Sequence, residues 1–131
     1  NLTGLREKNV YGSKTYDDLI ALCQQEAEKL GVEIRCIQSN HEGALIDALQ
    51  QAYFDGFDGA VFNPGGYTHT SVALRDAIDA VSVPVVEIHI SNVAAREEFR
   101  HTSLIGATCI GTIAGFGLDS YRLGVEALLN R

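Results

Sequence analysis

Pro84-Val85-Val86-Glu87-Ile88-His89-Ile90-Ser91-Asn92 is an apolar run with two polar residues set inside it. Side chains two apart in an extended chain point to the same face, so Glu87 and His89 stand side by side. Val85, Val86, Ile88 and Ile90 fill the remaining positions on both faces. A strand apolar on both faces belongs to a sheet covered on both sides, which points to parallel pairing. Burying a carboxylate beside an imidazole costs free energy unless both are partnered. The pair therefore raises a question of chemistry as well as of fold.

Working outward, residues 59–62 form a second short apolar run, which stops at Asn63-Pro64-Gly65-Gly66. Residues 109–114 form a third. Residues 32–38 alternate, with Val32, Ile34, Cys36 and Gln38 on one face, and predict a fourth strand. Helical patterns lie between them. From Thr15, the residues Leu19, Leu22, Cys23, Glu26, Ala27 and Leu30 recur at spacings of three and four. Thr15 with Asp18 predicts a capping box and Gly31 a stop. Residues 42–54, 68–80 and 118–129 predict three more helices, and 91–103 a loop with a short helix. Helices alternating with apolar strands, joined by right-handed crossovers, give a single α/β domain over 1–131. The expected fold is a flavodoxin-like, doubly wound parallel sheet in three layers, α/β/α. Residues 1–14 are polar and read as a loop. The first strand of such a sheet is therefore expected to be missing from this sequence, the alternative being that four strands suffice.

The net charge of −7 disfavours nucleic acid as a partner, because phosphate binding needs a basic face. It leaves room for a small anion held by a few local arginines. Three cysteines (Cys23, Cys36 and Cys109) form no CxxC pair and predict buried, reduced thiols in a cytoplasmic protein. The four histidines show no metal-ligand spacing. No membrane span or secretory signal is expected.

In doubly wound sheets, ligands sit beyond the carboxyl ends of the strands. Three polar clusters fall there: residues 63–71, residues 87–92 and residues 96–101. Each admits two readings. The Gly65-Gly66 loop is either a tight turn with Thr68 as helix cap, or an anion site built from backbone N–H groups. Glu87 and His89 are either a structural hydrogen-bonded pair, or a general acid held charged by its carboxylate. Arg96 and Arg100, four apart, share a helix face. By default this is a solvated helix with internal ion pairs to Glu97 and Glu98. Tyr11-Gly12 either closes a turn, or supplies a base whose phenol is acidified by Arg6.

Taken in order, the residues resemble a known family. Arg6-Glu7 with Tyr11-Gly12, then residues 63–77 (NPGGYTHTSVALRDA), then residues 86–93 (VEIHISNV), then Arg96-Glu97-Glu98-Phe99-Arg100-His101 with Ser103, are similar to the type II 3-dehydroquinate dehydratases. The resemblance covers nearly the whole chain. It implies cofactor-free anti elimination of water from 3-dehydroquinate to give 3-dehydroshikimate, in the shikimate pathway of aromatic amino-acid biosynthesis. Tyr11 matches the base, and Arg6 the arginine of a mobile lid (residues 1–14). His89 matches the general acid, supported by Glu87. Asn63, with the backbone at Ile90 and Ser91, matches the substrate-carboxylate site, and Gly65 and Gly66 are expected to bind substrate through the anion-site reading of their loop. His69 and Arg100 match ligands of the ring hydroxyls, and Asp76 a carboxylate reaching a neighbouring subunit. The family forms trimers that assemble into homododecamers. Its members open with an apolar strand ending in a Gly-Pro-Asn-type turn, whose Asn steadies the enolate. The sequence here starts past that point, and Asn1 does not stand in for it.

Rival readings are weaker. A Schiff-base dehydratase would need a lysine of lowered pKa, and Lys8, Lys14 and Lys29 all lie in polar settings. A non-catalytic flavodoxin-like anion-binding domain would bind at Gly65-Gly66 without turnover. A pure assembly module would tolerate loss of His89.

Overall fold

The computed structural model describes residues 15–131. The predicted lid with Arg6 and Tyr11 lies outside them. Helix α1 (Tyr16–Leu30) begins where the sequence places it. The Thr15 hydroxyl accepts the Asp18 N–H, and the Asp18 carboxylate accepts the Thr15 N–H. Gly31, at φ 70°, ends the helix in a left-handed turn that a side chain would disfavour. Helix α2 is Glu42–Phe54, strand β1 is Ala60–Phe62, helix α3 is Val72–Ala80 and strand β2 is Val85–His89. Strand β3 is Gly111–Ala114 and helix α4 is Asp119–Leu129. Short 3-10 turns occupy Gly65–His69, Val93–Ala95, Glu98–His101 and Gly106–Thr108.

The three strands pair in parallel in the order β1-β2-β3. Every residue of β2 is buried, as a strand central to a doubly covered sheet requires. Val85 packs with Leu49, Leu74, Ala77, Ile78 and Ile105 under α2 and α3. On the opposite face Ile90 joins Leu19, Cys23 and Leu118 between α1 and α4. Two apolar layers sandwiching one sheet give the expected flavodoxin-like three-layer architecture. Alternation along β2 then places Glu87 and His89 on the α3 side with Val85.

Three expectations are corrected. Residues 32–38 form no strand. Val32 and Ile34 are half-buried and Glu33 and Arg35 exposed, as alternation predicts, but the segment finds no ladder partner among the described residues. A strand exists only through its neighbour. Here a cleft of 1210 Å³ borders both this segment and β1. The segment is tethered instead by Arg35, which pairs with Asp55 at 2.7 Å and stacks over Phe57 at 4.6 Å. Second, α3 starts at Val72, not at Thr68. Ser71 is the cap that accepts the Leu74 N–H, whereas the Thr68 hydroxyl turns back to the Gly65 carbonyl at 2.6 Å and closes a 3-10 turn. Third, Cys36 is exposed and Cys109 partly so; only Cys23 is buried.

Helix α4 lies close on the sheet because Gly124 has no side chain. A Cβ there would come within 2.9 Å of Ile88 Cδ1 and 3.0 Å of Val61 Cγ1. Gly124→Val is expected to overpack this contact and lower stability by about 1–3 kcal/mol, read as a lower urea midpoint with an unchanged slope. Gly124→Ala should lose far less, because its helix-propensity gain of about 1 kcal/mol offsets the contact.

Candidate functional site

The site is built on the end of β2. Glu87 is 2% exposed. Its Oε2 accepts from His89 Nε2 at 2.5 Å, and its Oε1 accepts from the Ser103 hydroxyl at 2.7 Å. Ser103 Oγ in turn accepts the Gly106 N–H at 3.0 Å. Both carboxylate oxygens are thus satisfied, which is what permits a carboxylate on a buried strand. Burial pushes the Glu87 carboxyl upward. The hydrogen bonds from His89 and Ser103, with the charges of His89 and His69, outweigh that and hold it below the usual glutamate value. With Nε2 turned to Glu87, His89 Nδ1 is engaged by no hydrogen bond among the described residues. His89, Ile90 and Ser91 line the cleft.

The loop after β1 approaches from one side. Asn63 spans it: Oδ1 accepts the Gly65 N–H at 3.0 Å, and Nδ2 donates to the Tyr121 hydroxyl at 2.9 Å. The Gly65 N–H is therefore occupied by Asn63, while Gly66 lies exposed in the following 3-10 turn. Tyr67 ties this turn to the 32–40 segment by donating to the Asn40 carbonyl at 3.0 Å. His69 Nδ1 donates to the Thr102 carbonyl at 2.7 Å, which leaves Nε2 as its other ring nitrogen. Burial pushes the Tyr121 phenol up to about 12 even with the Asn63 bond opposing it, so Tyr121 is a poor base near neutral pH.

The loop after β2 approaches from the other side. Arg96 and Arg100 do not share one helix. Arg96 closes the Val93–Ala95 turn, and its own extended backbone resets the chain before the next one begins at Glu98. Arg96 Nη1 reaches Ser91 Oγ at 3.4 Å. Arg100 pairs with Glu97 at 2.5 Å and packs on the Phe99 ring. Both arginines border the cleft together with Asn63, Gly65, Gly66, His69, Ile90 and Ser91. Asp76 is exposed on α3 and lies outside this gathering.

Sequence reasoning gave no role to Ser103 or Tyr121. Tyr121 falls in the apolar stripe of α4, and nothing local marks it as a partner of Asn63. Ser103 lies sixteen positions from Glu87 in sequence, beyond any local pattern. Among the described residues no cluster of His, Cys, Asp or Glu could hold a metal ion, and no helix is long and apolar enough to cross a membrane.

Comparison with known proteins finds relatives over nearly the whole chain. The family model described as dehydroquinase class II matches residues 1–129. The chain is 52% identical over 128 residues to the 3-dehydroquinate dehydratase of Caldicellulosiruptor bescii, covering 98% of this chain and 88% of that protein. It is 53% identical over 132 residues to the 3-dehydroquinate dehydratase of Bacillus cytotoxicus, covering 100% and 89%. Its structure is similar to the crystal structure of type II dehydroquinase from Butyrivibrio crossotus DSM 2876, with a TM-score of 0.97 and 48% identity. That match covers 98% of this chain and 90% of the crystallised one.

Because the Glu87 carboxyl is depressed in the fold, its contribution to stability is complete above its unfolded value of 4.5. That contribution is lost as pH falls through the lower folded value. Asp55, Glu97 and Asp119 are depressed too, so a difference measurement isolates Glu87. In urea unfolding from pH 7 to pH 3, the midpoint of Glu87→Gln should start lower and fall less steeply below pH 4.5 than that of the wild type.

Proposed function

Because the chain belongs to the class II dehydroquinase family, we propose that it is a 3-dehydroquinate dehydratase working by anti elimination, with Tyr11 as base and His89 as general acid. The observation that carries this is the buried Glu87–His89 pair at the carboxyl end of the central strand, opening on a cleft. A structural pair would serve as well in the interior. This one is aimed at the cleft, with one ring nitrogen anchored and the other ring nitrogen available.

The roles of Tyr11 and Arg6 rest on the family resemblance, and that of His89 on the resemblance together with its anchored ring at the cleft. Tyr11, acidified by Arg6, removes a proton beside the substrate ketone and leaves an enolate. His89, anchored through Nε2, gives a proton from Nδ1 to the departing hydroxyl, which leaves as water. Tyr11 then releases to solvent the proton it took from the substrate, and His89 regains one from solvent, so both groups are reset, one water is lost and no redox partner is needed. Hydroxide is a poor leaving group, and a positioned acid on that oxygen is worth about 100- to 10,000-fold in rate. The substrate carboxylate lies against Asn63 and the backbone at Ile90 and Ser91, and His69 and Arg100 meet the ring hydroxyls. The Gly65-Gly66 loop shapes that pocket more than it donates to it, since Asn63 already holds the Gly65 N–H.

The same reading extends to assembly and setting: a cytoplasmic homododecamer serving the shikimate pathway, with Asp76 completing a neighbouring subunit's site. Val72 and Phe99 are large apolar residues at 59% and 60% exposure, which suits contact with other copies. Sedimentation velocity should give the mass of twelve chains, and a monomer would sink this part of the reading.

The function is tested by incubating the chain with 3-dehydroquinate and following the ultraviolet absorbance of the conjugated enone. A rise is expected, reduced about 100- to 10,000-fold by Tyr11→Phe and by His89→Ala, with the circular dichroism spectra unchanged. Tight anion binding with no rise would favour a non-catalytic binding domain instead.

A further inference from the structure

The motif that matched through Ser103 left that serine without a task, and the structure supplies one. Ser103 is half-buried, and its single proton has one acceptor, Glu87 Oε1 at 2.7 Å. The Gly106 N–H fills a lone pair of the same oxygen at 3.0 Å. The hydroxyl is therefore oriented: the amide fixes its acceptor side and the proton goes to the carboxylate. Three hydrogen bonds run in series from the Gly106 backbone through Ser103 and Glu87 to His89.

The loop around Ser103 does not need this hydroxyl to hold its place. The Leu104 N–H reaches the Thr68 carbonyl at 2.8 Å, and Arg75 Nη1 reaches the Leu104 carbonyl at 2.7 Å. Ile105 is fully buried in the core beside Leu74 and Ile78. A serine whose loop is anchored on both sides of it, and whose proton goes to the partner of the general acid, does more than close a turn. Gly106 brings the relay close: a Cβ there would sit 3.2 Å from Ser103 Oγ and 3.4 Å from Glu87 Oε1.

We propose that Ser103 is a positioning residue for the dehydration, holding the Glu87 carboxylate charged and aimed so that Glu87 can hold His89. The proposal rests on the reaction assigned above. Without the hydroxyl, Oε1 is left buried and unpaired, and a buried carboxylate that loses a donor takes up a proton more readily. A protonated Glu87 no longer supports an imidazolium. The acid limb of the activity profile is then set by Glu87 and, through it, by Ser103. The other titratable groups facing Glu87 are His89 on its own strand, His69 from the turn after β1 and Cys109 from the segment before β3. Burial and the Glu87 charge push the Cys109 thiol up to about 11, so it stays protonated across the acid limb and cannot produce it.

The experiment compares wild type, Ser103→Ala and Ser103→Thr by two readouts. One is the pH dependence of kcat on 3-dehydroquinate. The other is the carbon-13 titration of the Glu87 carboxyl in protein labelled at glutamate, assigned with Glu87→Gln. Ser103→Ala should raise the Glu87 midpoint by about one pH unit and move the acid limb with it, with kcat down about tenfold. Ser103→Thr, which keeps the hydroxyl, should restore both. An unmoved Glu87 midpoint in folded Ser103→Ala would overturn the proposal. So would a loss of kcat that is uniform across pH. A wild-type chain that leaves 3-dehydroquinate unchanged yet shows the serine-dependent shift would overturn the reaction and support the relay itself.

Discussion

A carboxylate with almost no contact with water, on a strand covered from both sides, is the constraint around which this molecule is arranged. Glu87 can be ionised there only if each oxygen finds a donor, and the two donors lie two and sixteen residues further along the chain. His89 arrives by strand alternation. Ser103 arrives because the loop after β2 returns over the α3 face, pinned by Thr68 and Arg75. The need to solvate one side chain thus ties together the central strand, the turn that holds Thr68, helix α3 and the loop into β3. Leaving either oxygen unpaired would cost on the order of 1–3 kcal/mol or more, a sizeable share of the stability of a domain this size.

The division of labour between the two faces of β2 follows from the same alternation. Ile88 and Ile90 look toward α1 and α4, where Gly124 lets the helix settle against Ile88. That layer is mostly apolar, and its closest approach to the sheet is at Gly124. The α3 face carries Val85 in the core and then, toward the strand's end, the polar pair. Apolar packing gives way to chemistry along a single row of side chains, where the sheet ends and the cleft begins. The site is rigid because its acid is mounted on a fully buried strand. It is reachable because the strand stops at His89.

What could be read from residues alone divides along a physical line. Local signals were legible. The Thr15–Asp18 box, the Gly31 stop and the span of α2 depend on residues within a turn of one another, and the structure reproduces each. The pairing of Glu87 with His89 was legible because strand geometry leaves no choice of face. Signals that depend on distant partners were not. Residues 32–38 carry a strand pattern, but no neighbour among the described residues pairs with them. Thr68 and Ser71 are both good caps on paper, and only the carbonyl of Gly65 decides which hydroxyl is taken. Cys36 looked buried because alternation extends through it; its thiol does meet that of buried Cys23, but with no strand paired beside it among the described residues it stays exposed. The bonds from Ser103 to Glu87 and from Asn63 to Tyr121 join residues brought together by the whole fold. The resemblance to a family named the principal site residues, yet left both of these partners unassigned.

The two-residue spacing of Glu87 and His89 also sets what kinds of change this gene can survive. Substitution in β2 alters one side chain and leaves the rest in place. Inserting or deleting a single codon there would rotate every following side chain to the other face. The imidazole would enter the apolar layer under α4, and Ile88 or Ile90 would face the cleft. Length variation can accumulate in surface turns, where a bulge is absorbed locally. In β2 it would dismantle the core and the acid in one step, so divergence through this segment is confined to exchanges of residue at constant length.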